Sequence, residues 1–155
     1  MALQMDWQTF DFGDTEVRVL APPDAEFDEQ DGLPEGMHNL TWSPRDAGFF
    51  GVAAGPFTVD GVLSGDGVSV DSDAETALAG LPGRRVAYRV ARHQPRRQDE
   101  SGWQPERTWT EVGDLLFVPG AGQNVRVGYR VDEKDAELRA TFARMLDRVE
   151  VRRDD

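Results

Sequence analysis

Residues 125–131 read VRVGYRV, and this heptapeptide decides the fold class. Val125, Val127, Tyr129 and Val131 alternate with Arg126, Gly128 and Arg130. A period of two marks a strand with one apolar and one polar side. Upstream, residues 84–93 (RRVAYRVARH) repeat the pattern as a second strand, with Val86, Tyr88 and Val90 opposite Arg85 and Arg89. Strands of this kind belong in an antiparallel sheet that wets one face.

Working outward, 6–12 (DWQTFDF) and 15–20 (TEVRVL) predict a hairpin about the Gly13-Asp14 turn. Further strands are expected at 37–42 (MHNLTW), 48–54 (GFFGVAA) and 106–118 (ERTWTEVGDLLFV), the last bulging at Gly113. A short strand is expected within the glycine-rich segment 55–70, at 57–63. The acidic segment 24–36 reads as a loop or one helical turn anchored by Phe27 and Leu33, and 94–105 as a long charged loop. A short helix is expected at 72–79, from Ser72 as N-cap with Glu75 as its capping-box partner. A longer one is expected at 133–147, capped by Asp132. Its stripe is Leu138, Phe142, Met145 or Leu146, and Val149. The expected architecture is an α+β domain spanning residues 1–155. It has a single antiparallel sheet of about six to eight strands, a C-terminal helix packed on it and one or two short helices.

Composition narrows the function classes. The 155 residues carry a formal net charge of -12 and no cysteine. A disulfide framework, a thiolate metal site and a cysteine nucleophile are therefore excluded. No apolar run reaches the roughly 18 residues of a membrane helix. The start, MALQMDWQTF, lacks the basic and apolar regions of a signal peptide, so a cytoplasmic location without membrane contact is expected. The acidity opposes non-specific nucleic-acid binding, which depends on phosphate neutralisation. Charge is uneven. Residues 1–83 hold 16 acids against Arg18 and Arg45, while residues 84–155 hold 13 acids against 15 bases. Such halves can pair with each other across one fold or leave an interaction surface.

No catalytic, cofactor or metal residue is assigned from the motifs. GAGQN at 120–124 leads into a strand rather than a helix, so it lacks the amide cradle of a phosphate loop. His38 and His93 have no ligand partner at i,i+4. The carboxylates at 24–31 miss the glycine of an EF-hand loop. The candidate site is the arginine face. Arg85, Arg89, Arg126 and Arg130 are expected on one polar sheet face, with Trp109 beside them. Arginine beside an exposed aromatic suits a protein interface or an anion. Arginine is also an ordinary occupant of a solvated sheet face.

One family resemblance rests on packing positions. LLFVPGAGQNVRVGYRV (115–131) followed by LRATFARMLDRVEV (138–151) resembles the end of the PsbP-like fold. That fold is shared by the photosystem II accessory protein, a Ran-binding nuclear import factor and bacterial DcrB-type proteins. Phe142, Met145, Leu146, Val149 and Val151 match its closing helix and tail, and TFDFGDTEVRVLAPPDAEF (9–27) is similar to its opening. The resemblance implies an antiparallel sheet flanked by helices and an accessory, chaperone or adaptor role without catalysis. Together these readings predict a non-enzymatic binding domain with a protein partner on the polar sheet face. The alternatives are a small hydrolase or ligand-binding enzyme with an acidic site, and a structural subunit of a homo-oligomer.

Overall fold

The computed structural model describes residues 4–45, 48–78, 80–120 and 123–153. Strands β1 (Asp6–Phe12) and β2 (Thr15–Ala21) form the expected hairpin. The turn places Gly13 at φ +73°, a conformation that glycine adopts without strain. Beyond them lie β3 (Asp28–Glu29), β4 (His38–Arg45), β5 (Gly48–Gly55) and helix α1 (Asp60–Leu63). Then come β6 (Val68–Leu78), β7 (Leu81–Gln94), β8 (Arg97–Asp99), β9 (Gly102–Gln104), β10 (Arg107–Val118) and β11 (Asn124–Asp132). Helix α2 (Ala136–Asp147) and β12 (Glu150–Arg153) follow.

The expected α+β fold with a single sheet is overturned. The strands divide among a seven-stranded sheet ordered β3-β4-β5-β11-β10-β7-β6, a three-stranded sheet ordered β1-β2-β12, and the pair β8-β9. Among the described residues, helix is confined to α1 and α2, and most are strand. Alternation within a strand says which residues share a side, but not which sheet the strand joins. The N-terminal hairpin pairs with β12, Val151 lying opposite Val17, rather than with the large sheet.

The principal core lies between the two larger sheets and α2. The large sheet contributes Phe50, Val52, Val112, Leu116, Val127 and Tyr129 among others, and the small sheet contributes Phe10, Phe12, Val17 and Val19. From α2, Leu138, Phe142, Met145 and Leu146 are buried. Phe142 is fully buried, its ring 5.7 Å from Tyr129, 5.8 Å from Trp42 and 5.9 Å from Phe50. These separations suit offset or edge-on ring packing. Phe27 anchors the acidic segment against Phe10 at 5.1 Å.

Five local expectations also change. Residues 72–78 lie in β6, paired along the long strand β7. A helix there would have had no apolar stripe to bury, whereas the edge of β7 offers backbone partners. Ala79 lies outside the described residues. The segment 57–63 holds α1 rather than a strand. The charged loop folds into the small hairpin β8-β9. Helix α2 starts later than expected, and Asp135 rather than Asp132 accepts from the Leu138 amide at 3.2 Å. Asp132 closes β11 and accepts from the Lys134 amide. Gly113 forms no bulge, because the registers of β10 with β7 and with β11 run through it unbroken.

Candidate functional site

Cross-strand register fixes which arginines can act together, because residues directly opposite project to the same side of a sheet. Leu116 of β10 lies opposite Arg85 on β7 and Val127 on β11. Gly113 lies opposite Tyr88 on β7 and Arg130 on β11. Arg85 and Arg89 therefore share the α2 side with Leu116 and Val112. Arg126 and Arg130 share the other side with Val86, Tyr88 and Val90. The expected common face for the four arginines does not form. Strands β7 and β11 carry their apolar residues on opposite sides, and alternation alone does not relate one strand to the next.

The two arginine pairs have different surroundings. Arg85 holds Asp114 and Asp147, each at 3.0 Å. Hydrogen bonding to Asp114 holds the Arg85 guanidinium above its ordinary pKa. Arg89 holds Asp71 at 3.0 Å and Glu133 at 3.1 Å. Some of these bridges join the acidic and basic halves of the chain, as do Arg84–Asp73 and Arg18–Glu150. Trp109 projects on the Tyr88 side, opposite Arg92. The Arg107 guanidinium lies 4.5 Å from its ring centroid, and its indole N–H donates to Glu111 at 3.4 Å.

Arg126 and Arg130 have no carboxylate within 4.0 Å among the described residues. Arg130 donates from Nε to the Tyr88 hydroxyl at 3.4 Å, and its guanidinium stands 5.4 Å from the Tyr88 ring centroid. Arg126 donates from Nη1 to the Thr58 carbonyl at 3.2 Å and stands 5.1 Å from the Phe57 centroid. Burial depresses the Arg126 pKa, and the positive charge of Arg130 adds to this. Arginine stays protonated regardless. Each guanidinium thus spends one of its five N–H donors on a protein acceptor among the described residues.

These two side chains border a groove of about 820 Å³ on the α1 side of the large sheet. A missing pair of side chains makes the hollow: Gly51 on β5 lies directly opposite Gly128 on β11. Gly128 is also where two backbones come close, since a Cβ there would meet the Asp114 carbonyl and Leu115 Cβ at 2.7 Å. Tyr88, Val90 and Leu115 are buried beneath the groove, Phe49 is exposed at its side, and Val62 of α1 lines it. Arg92 lines it too but is held by Glu111 at 2.8 Å. Asp66 is the one carboxylate among the described lining residues.

The histidines lie elsewhere, His38 beside Glu29 at 2.9 Å and His93 beside Glu106 at 3.0 Å. Among the described residues, no group of three or more histidine, cysteine or acidic side chains could hold a metal ion. No described helix is long and apolar enough to cross a membrane.

Sequence reasoning singled out Arg126 and Arg130 but not Tyr88, Phe49, Gly51 and Gly128, which the structure sets beside them. A signal was present in the two strand-borne glycines of GFFGV and VRVGYRV. Their meeting depends on a register that neither segment specifies alone. No protein-family model and no curated protein matches the chain, so the family resemblance rests on its quoted residues.

Proposed function

We propose that this chain is a non-enzymatic binding domain whose binding surface is the groove over Gly51 and Gly128. One observation carries the proposal. Arg126 and Arg130 border the groove without a carboxylate partner among the described residues, whereas Arg85, Arg89 and Arg92 are each ion-paired. Charges held without a described carboxylate partner above a partly apolar hollow suit a ligand of opposite sign. The volume of about 820 Å³ falls within the range of small-molecule sites, roughly 300–1,000 Å³. This concavity favours a small ligand over the flat protein contact expected from sequence. Binding without turnover is supported by the described lining residues, which include one carboxylate and no histidine; general acid–base chemistry ordinarily draws on such groups.

A ligand screen by thermal shift on the wild-type chain and Gly51→Val tests the proposal. A Cβ at Gly51 would make ordinary contact with Thr41 at 3.4 Å, and its φ is unexceptional, so a side chain can start there without a backbone clash. Ligands of the groove raise the wild-type Tm and lose that effect in Gly51→Val. Ligands that stabilise both chains equally would place the binding surface elsewhere.

A further inference from the structure

We infer that the groove takes a small amphiphilic organic anion. Its acid group sits over Gly128 between Arg126 and Arg130, and its apolar body lies against Phe49, Val62 and Val68. The inference rests on the groove being the binding surface proposed above, and adds the chemical class of its occupant.

The placement follows from strand geometry. Arg126, Gly128 and Arg130 stand at successive same-side positions of β11. The two arginine Cα atoms are about 13 Å apart at strand rise, a span that two long side chains reaching inward can close around one oxyanion. Gly128 between them presents bare backbone, and so does Gly51 opposite it. Like charges on one strand side repel, and an anion between them relieves that repulsion. The guanidinium fork then matches a carboxylate, sulfonate or phosphate ester through charge-assisted hydrogen bonds.

The organic body follows from the rest of the lining. An inorganic ion would occupy a small part of about 820 Å³ and would leave the apolar surface of Phe49, Val62 and Val68 uncovered. The Phe49 ring, 38% exposed, offers a face for a ring-bearing or chain-like ligand. The net charge of -12 opposes diffuse anion binding, so capture depends on this local pair.

The test uses the full chain and three probes in fluorescence or calorimetric titration. They are 8-anilinonaphthalene-1-sulfonate, its uncharged counterpart N-phenyl-1-naphthylamine, and inorganic phosphate. The sulfonate is expected to bind the wild type at least about tenfold more tightly than the uncharged amine, as expected for one charge-assisted contact. Arg126→Gln with Arg130→Gln is expected to bring the sulfonate to the affinity of the amine and leave the amine unchanged. Gly51→Val is expected to weaken both aromatic probes. Equal affinity of the two aromatic probes for the wild type, with both lost in Gly51→Val, overturns the anionic class while the groove stands as the binding surface. Phosphate binding as tightly as the sulfonate overturns the organic body. Sulfonate binding that survives Gly51→Val, or no binding of any probe, overturns the ligand class and the groove together. The wild-type comparison of probes needs no variant to fold.

Discussion

The Tyr88 ring lies over Gly113, the residue opposite it on the neighbouring strand. A Cβ built at Gly113 would collide with the Tyr88 ring carbons. That vacancy lets Tyr88 lie flat enough for Arg130, across β10, to stack on it and bond its hydroxyl. The missing methyl thus shapes the groove floor as well as the packing.

Gly113→Ala is therefore expected to destabilise the protein by about 1–3 kcal/mol through overpacking. Urea denaturation measures this. Combined with Tyr88→Ala the costs should be less than additive, since the second change removes what the first collides with. Strict additivity would mean that Gly113 does not make room for Tyr88.

Phe142→Ala should cost about 3–5 kcal/mol, the range for removing a buried phenylalanine. Its ring bridges Trp42, Phe50 and Tyr129, so it ties α2 to β4, β5 and β11. A loss below about 1 kcal/mol in chemical denaturation would show that α2 is not part of the principal core.

Strand positions were legible because alternation is local. VRVGYRV and the Val86–Tyr88–Val90 run became β11 and β7, and the helical stripe through Phe142 became α2. Sheet membership was not legible, because the partner of β2 is a strand more than a hundred residues away, at 150–153. The arginine face was half legible. Each pair was placed correctly on its own strand, but relating the two needs the register of β10, which alternation leaves free by one residue. The capping-box pattern at Ser72 and Glu75 misled because a local motif cannot report that an unpaired edge of β7 lies alongside.

The two arginine pairs should separate by function. Arg85→Gln leaves Asp114, whose side chain is 16% exposed, without its main partner and should cost about 1 kcal/mol after allowing for solvent screening. Arg126→Gln and Arg130→Gln strand no described carboxylate and should change stability by less than about 0.5 kcal/mol. Thermal melts of the three variants decide this. Equal losses in all three would remove the distinction between paired and available arginines.

Burial holds the Tyr129 phenol above its ordinary pKa of 10.0, and the nearby Asp114 carboxylate adds to it. The folded-state value is raised, so this contribution to stability is complete below the unfolded pKa. It is lost as pH rises through the folded one. Stability should fall above about pH 10, with a shallower fall in Tyr129→Phe. Parallel pH profiles for the two chains would contradict this.

The central claim is that Arg126 and Arg130, not Arg85 and Arg89, mark the binding surface. Backbone amide chemical-shift mapping of the full chain during titration with 8-anilinonaphthalene-1-sulfonate tests it most directly. The largest shifts are expected at Gly51, Gly113, Gly128 and Arg130, with Asp71, Arg85 and Asp147 little moved. The largest shifts at Arg85, Arg89 and α2, or a uniform scatter over the surface, would contradict it.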